Sequence, residues 1–411
     1  MKQTAHTPRE CRQCLYTERH PFGLQFDETG LCTGCITHSG KTTLDWNHRF
    51  HLLEQKSAKA VRKKHSAYYD CVVPVRGTPE YFYVLDVVKN RLGLNPLVVS
   101  YNSQFNSGIG IRNLDRIRDV FDVDILVYTS NPFTYRKLIR ETLVRFNSMR
   151  WPYLAGETSF PVYTAVERDI PLVIWPYHQQ TEQAGMHSYE EAPEMSRRAR
   201  ASFDLLGIEP EELLGSETTI TEPDVFDINY PANYLLRRHN VTGIYLNNYL
   251  PWDTRRYSEE MIARHGALAG ANPRTFDTYD RIDDMTYMSI HDLLKYAKHG
   301  YSRVTDNLCR EIRFGRISKE DALAVQAFYQ SQDPGKGLPV FLKWLGMQPT
   351  AWDWYLERMP HKLPAYGTEV PLSKTQNDFI GSFVKNGPDV MENDEFILYG
   401  KGLEYDEKIH S

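Results

Sequence analysis

The chain has 411 residues, 41% of them hydrophobic and 12% aromatic, enough for a proper core in one large or two to three ordinary domains. A formal net charge of −5 leaves no basic surplus to neutralise phosphates, which excludes nucleic acid as the expected main partner. The longest apolar runs, Leu97–Val99 and Ile170–Trp175, are far short of the ~20 residues a membrane helix needs. The opening MKQTAHTPRE lacks the apolar core of a signal peptide, so the expectation is a cytoplasmic protein with no membrane partner.

Four of the six cysteines come first, as Cys11-Arg12-Gln13-Cys14 and, seventeen residues on, Cys32-Thr33-Gly34-Cys35. That spacing lies within the C-x2-C-x15–20-C-x2-C window of zinc sites. Each short turn lets two thiolates converge on one ion, and four close a tetrahedron with no open position, so Cys11, Cys14, Cys32 and Cys35 read as ligands of a structural zinc. The alternative is four unrelated thiols. Between the pairs, Phe26–Gly30 reads as a hairpin turn, making residues 1–44 a zinc ribbon. Cys71 and Cys309 read as small buried residues.

A charged helical stretch from Asp45 to about Lys64, with Trp46, Phe50 and Leu53 on one face, reads as a connector. Strands and helices then alternate. Cys71–Val75, Leu97–Tyr101, Ile125–Tyr128 and Pro171–Ile174 read as strands, and Glu80–Leu92, Asn113–Phe121 and Tyr135–Phe146 as helices. The alternation predicts βαβ units and a mostly parallel sheet over residues 45–187. Beyond about Ser188 the strands thin out, and Glu190–Leu206, Ser258–His265, Ile290–Gly300 and Lys319–Ser331 read as helices of a region 188–385, followed by a mixed tail 386–411.

Within this frame the turn VVPVRGTPEY, residues 72–81, occupies the place where an α/β protein commonly binds phosphate, after a strand and before a helix. It has one glycine and no lysine.

Nine strings taken in order resemble the N-acetyl sugar amidotransferase family, the PP-loop proteins of bacterial surface-polysaccharide synthesis. They are FDETGLCTGC, YDCVVPVRG, GLNPLVVSYN, GIGIRNLDRI, IPLVIW, GIYLNNYLPWD, RTFDTYDRID, IHDLLKYAKHGYSRVTDNLCREIRFGRISKED and FLKWLGM, spread over residues 9 to 350. The resemblance implies a PP-loop-like (adenine nucleotide alpha hydrolase-like) sheet. It further implies that an acetamido group on a nucleotide-activated sugar becomes an acetamidino group in lipopolysaccharide or O-antigen biosynthesis, with Mg·ATP and with ammonia from a glutaminase subunit.

The family loop resembles Ser-Gly-Gly-Lys-Asp-Ser, where this chain has Arg76-Gly77-Thr78-Pro79-Glu80-Tyr81. Pro79 removes a cation and a backbone donor, and Tyr81 adds bulk. Arg76 is the residue placed to restore a phosphate contact. On this resemblance Arg76, Gly77, Thr78, Gly110 and Asn113 are the nucleotide-binding candidates. The family's further cysteine pair is absent from Met149–Glu157, and its Gly-Glu-His appears as Pro176-Tyr177-His178. His178, His187 and His299 have no ligand spacing and predict no second metal.

The C-terminal polar strings are retained. Arg303, Asp306, Glu311, Arg313 and His291 are the catalytic candidates: the arginines either grip a diphosphate or uronate carboxylate or belong to a salt-bridge network. Asp306, Arg310 and Arg313 stand at helical i, i+4, i+7 spacing. His291-Asp292, at an expected helix start, reads as base and orienter or as a helix cap. Asn248, Tyr249, Trp252, Asp253, Asp277 and Tyr279 are either surfaces for a sugar or base, or core. Two functions stay open: the family's amidotransferase, or an ATP-independent sugar-binding or scaffolding subunit of the same pathway.

Overall fold

The computed structural model describes residues 8–64, 68–192, 194–215, 218–335 and 337–387; the expected tail beyond Gly387 and the first seven residues lie outside these. Five strands, β1 (Cys71–Pro74), β2 (Pro96–Tyr101), β3 (Ile125–Tyr128), β4 (Leu172–Trp175) and β5 (Thr242–Tyr245), form one sheet of order β3-β2-β1-β4-β5, parallel at every pairing. Every residue of β1, β2 and β4 is buried, which is why they read as continuous apolar runs and not as alternating ones.

Helices cover both faces. Val73, Val98 and Ile174 pack with Phe82, Val84 and Ile117 on one, while Val72, Val99 and Val173 pack with Val162 and Ala165 on the other. The chain runs from β1 outward to β2 and β3, then returns to place β4 and β5 on the opposite side of β1. A crevice therefore opens between the carboxyl ends of β1 and β4, where such sheets bind ligands.

Around the sheet, α1 (Thr33–Gly40) closes the cysteine segment and α2 (Trp46–Val61) follows, capped by Asp45. Next come α3 (Glu80–Leu85), α4 (Gly108–Phe121), α5 (Pro132–Phe146) and α6 (Trp151–Glu167). The helix expected to run from Glu80 to Leu92 changes into a π turn at Asp86–Arg91.

Helix α6 and strand β5 are among the elements not expected from the sequence. Helix α6 contains Pro152, Gly156 and Pro161; Pro152 sits in the first turn where its missing N–H costs nothing, and Gly156 lies flat against the Tyr101 ring. Strand β5 is only four residues long with Gly243 inside it, against which Met195 packs. Conversely, the helix expected over Glu190–Leu206 is reduced to a short turn at Arg197–Ala199 and a π turn at Arg200–Asp204.

The C-terminal half is helical, with Met285–His299, Arg303–Arg313, Lys319–Gln330, Gly337–Leu345, Pro349–Glu357 and Lys374–Gly381. The helix Arg303–Arg313 packs Val304, Leu308, Cys309 and Ile312 onto the cysteine segment, so the two ends of the chain share a core. No helix among the described residues is long and apolar enough to cross a membrane.

Candidate functional site

The four N-terminal cysteines meet as the spacing predicts. Their sulfurs lie within 4.8 Å of one another, all buried, with Cys11 and Cys35 3.8 Å and Cys14 and Cys32 3.6 Å apart. These separations match the edge of about 3.75 Å that Zn–S bonds of about 2.3 Å give a tetrahedron, and they are far beyond a disulfide. The amides of Cys14 and Cys32 donate to Cys11 Sγ, as expected where sulfur carries charge. The donor set therefore fits a closed zinc site.

Arg313 reaches this cluster from the far half of the chain. Its Nη2 donates to Cys14 Sγ and Cys32 Sγ at 3.9 Å, and its Nη1 donates to the carbonyls of Glu182 and Gln183. Gly34 has no side chain because a Cβ there would occupy the place of the guanidinium.

At the switch point, the loop after β1 forms one wall of a crevice of about 100 Å³. Arg76 is buried and committed to the protein: Nε and Nη2 form a bidentate pair with Asp283 at 2.9 and 3.0 Å, Nη2 lies 3.0 Å from Asp284, and Nη1 lies 3.3 Å from Glu157. Its face rests on the Tyr153 ring. Arg76 and Tyr153 form the wall between this crevice and a second cavity of about 210 Å³ beside β2, so the guanidinium holds a partition.

Gly77 and Gly110 meet backbone to backbone, and Gly110 also backs onto Asp283. Asn113 is fully buried and bonded to Gly77 O, Leu268 O and Leu268 N. Gly77, Gly110 and Asn113 are thus brought together as the seam between the β1 loop and α4.

The β1 loop and the start of α3 leave two groups in the crevice unspent. Thr78 Oγ1 and Glu80 Oε2 are buried with no hydrogen-bond partner among the described residues. Burial, aided by Asp280 and Asp277 against Arg76 and Arg310, pushes the Glu80 carboxyl up to about 8, so at neutral pH it holds a proton. His178 faces the same crevice, where burial pushes its imidazole down to about 4 and keeps it neutral.

A larger cavity of about 290 Å³ adjoins the crevice, and Tyr177, Asp204, Asp280 and Arg281 line both. The ribbon contributes His20, Phe22 and Lys41 to its wall, α6 and the turn before it Arg150, and the C-terminal helices Lys295, Lys298, Arg303 and Arg310. Eight cationic side chains line it against four carboxyls.

Of the catalytic candidates, His291, Arg303, Asp306 and Arg313 line this cavity, and Glu311 does not. Glu311 is buried on the opposite face, held by Arg310 and Arg316. Asp306 accepts from the Tyr16 hydroxyl at 2.7 Å and pairs with Lys295, while Arg310 pairs with Asp277 at 2.6 Å. The expected Asp306–Arg310–Arg313 ladder along one helix face is replaced by bonds to three other elements. Arg303 donates to Asp280 Oδ2 at 2.9 Å.

His291-Asp292 lies inside Met285–His299 and not at its start. Asp292 accepts from the Arg303 amide and from Arg274 Nε, so it caps the next helix instead of its own. His291 Nδ1 is buried without a partner, and burial among Arg150, Lys295, Arg303 and Lys298 keeps the ring neutral. Of the aromatic and polar candidates, Trp252 reaches the cavity wall. Asp253 caps the helix Thr254–His265, and Asp277 and Tyr279 are buried structural groups.

The sequence reading did not single out Asp204, Arg150, Asp280, Arg281, Lys295 or Lys298. The last four lie inside the quoted strings RTFDTYDRID and IHDLLKYAKHG; Asp204 and Arg150 lie outside any.

Residues 273–377 match a family described as "LPS biosynthesis protein WbpG-like, C-terminal domain", which bears out the resemblance to the amidotransferases of surface-polysaccharide synthesis. An uncharacterized protein of Methanocaldococcus jannaschii, MJ1599, is 20% identical over 141 residues, 34% of this chain; the match spans about half the length of that relative, 48%. Among solved structures, an NH3-dependent NAD synthetase from Campylobacter jejuni aligns with TM-score 0.28 and 11% identity over 48% of this chain and 92% of that one. An NMN synthetase from Francisella tularensis aligns at 0.26 and 12% over the same shares.

Proposed function

We propose that the protein is an N-acetyl sugar amidotransferase of lipopolysaccharide biosynthesis, converting the acetamido group of a nucleotide-activated sugar to an acetamidino group with ATP and ammonia. The observation that carries this reading is the junction of the two cavities. The larger one, with its excess of cations, suits the diphosphate of a nucleotide sugar, and it opens beside the switch-point crevice where this sheet architecture binds nucleotides.

In this reading Arg303, Arg150 and Lys298 meet the diphosphate, and neutral His291 offers a hydrogen bond to an uncharged part of the sugar. Thr78 and protonated Glu80 supply the polar contacts left over in the crevice. Zinc on the four cysteines fixes the ribbon wall and takes no part in the chemistry. The ammonia is proposed to come from a glutaminase subunit.

A second reading rests on Arg76. Because three carboxylates already hold it and Pro79 removes a donor beside it, the loop lacks the free cation that would grip a triphosphate. A sugar-binding subunit without the ATP step would need the large cavity alone. Calorimetric titration of the zinc-loaded protein with Mg·ATP and with UDP-linked N-acetyl sugars, followed by an ammonia-dependent assay of AMP release, separates the two. Sugar binding with AMP release supports the enzyme; sugar binding without any response to ATP supports the binding subunit; no sugar binding refutes both.

A further inference from the structure

Amide activation followed by attack of ammonia needs one group to which the proposed function has given no residue. When neutral ammonia adds to the activated carbon, the new nitrogen carries a positive charge and must lose a proton before the leaving group departs. A positioned base with an affinity for protons near the working pH does this best.

The carboxyls around the two cavities can be taken in turn. Glu182 is held by Lys41, Tyr189 and Asn247, and Asp306 by Tyr16 and Lys295. Asp280 is held by Arg303, and Glu157 by Arg76 and Tyr153. Glu80 lines the crevice and not the larger cavity. Asp204 lines both cavities, and no hydrogen bond or ion pair among the described residues engages its carboxylate.

Its nearest cation, Arg200, is committed to Thr158, Glu209 and the carbonyls of Ala155 and Ile228. Asp204 ends the π turn Arg200–Asp204, an irregularity of a kind that is frequent at functional sites. Resting on the amidotransferase reading, we infer that Asp204 is the general base that takes the proton from the attacking nitrogen at the junction of the cavities.

The step balances as follows. The amide oxygen has taken the adenylyl group of ATP, releasing pyrophosphate and leaving the carbon doubly bonded to its protonated nitrogen. The ammonia lone pair forms the new C–N bond while the C=N π pair of the O-adenylated amide moves onto the sugar nitrogen, giving a tetrahedral carbon bearing –NH3+. One N–H proton passes to the Asp204 carboxylate. The C–O bond to the adenylate then breaks with its electron pair, releasing AMP and leaving an amidinium, and Asp204 returns its proton to solvent.

The proton affinity suits the task. Burial pushes Asp204 up to about 7, with Arg200 working against the rise and Glu157 with it. His178, Asp280 and Arg281 face it across the cavity walls, and Tyr230 and Tyr245 approach it from the β5 side.

The test uses the full zinc-loaded chain with UDP-linked N-acetyl sugars, Mg·ATP and ammonium chloride. Asp204→Asn should bind the sugar nucleotide with unchanged affinity by calorimetry and keep its KM, while kcat falls about 100- to 10,000-fold. The loss of rate below about pH 7 should vanish with it, and Asp204→Glu should restore part of kcat and a shifted acidic limb. An Asp204→Asn variant that keeps kcat and the limb overturns the assignment while leaving the reaction intact, and so does one that loses sugar binding. A wild-type chain that binds the sugar and never releases AMP refutes the reaction itself, and the base falls with it.

Discussion

Replacing Arg76 by Met tests whether its charge serves the fold or a ligand. The methionine keeps much of the apolar stem over Tyr153 but takes away the guanidinium that joins Glu157, Asp283 and Asp284, leaving Arg150 3.8 Å from Asp284 and Arg281 4.0 Å from Glu157. Removing one partner of a buried ion pair costs about 3–5 kcal/mol, because the remaining charge stays desolvated. For 411 residues at about 2.1 cal/mol/K each, the unfolding entropy is about 0.86 kcal/mol/K, so the melting temperature should fall by about 4–6 °C at pH 7.5. The sign with pH follows from burial, which already pushes Asp283 upward with Arg76 present. Without Arg76 the rise is opposed by Arg150 and no longer by the bidentate partner, so the penalty is full above the carboxylate range and shrinks as falling pH protonates the acids. Scanning calorimetry of both proteins at pH 7.5 and 4.5 reads this out. A fall below about 1 °C, or an equal fall at both pH values, would refute the partition reasoning and return Arg76 to the phosphate.

Glu80 contributes stability that is present below the ordinary carboxylate range and lost as pH rises through about 8. Glu80→Gln should therefore remove a slope of about 1.4 kcal/mol per pH unit between pH 5 and 8, measured by denaturant titration. Cys14→Ser, or a chelator on the wild type, should release the metal measured by atomic absorption and abolish UDP-sugar binding, because His20, Phe22 and Lys41 form one cavity wall. Arg303→Ala should weaken calorimetric UDP-sugar binding about 10- to 100-fold, the range of a lost charge-assisted hydrogen bond, with zinc content unchanged.

Three strands of the sheet, β1, β2 and β4, were legible because they are buried on both faces and cannot avoid apolar runs, and β3 was legible from its apolar Ile125–Tyr128 although it is half-exposed. Cys71, Leu97 and Leu172 open the buried runs. Helix α6 was hidden by Gly156 and Pro161, each of which opposes a helix locally and is tolerated because tertiary packing holds the segment, and by Pro152, whose harmless place in the first turn shows only once the helix start is known. The four cysteines were legible because a tetrahedral ion imposes a spacing on the chain. The role of Arg313 was not, because nothing in a linear pattern says that a helix near residue 313 lies against residues 14 and 32. Asp204 was hidden for a related reason: a base is recognised by what fails to pair with it, and pairing exists only in three dimensions.

The contact of Arg313 with two of the cysteine sulfurs makes the metal and the large cavity partners in one equilibrium. The same side chain lines the cavity and neutralises charge at the thiolates. Whatever factor zinc adds to the affinity for an anionic sugar, the sugar must add to the affinity for zinc, since the coupling free energy belongs to the pair. Under the proposed function, removing zinc should change the affinity for the sugar by the same factor as removing the sugar changes the affinity for zinc.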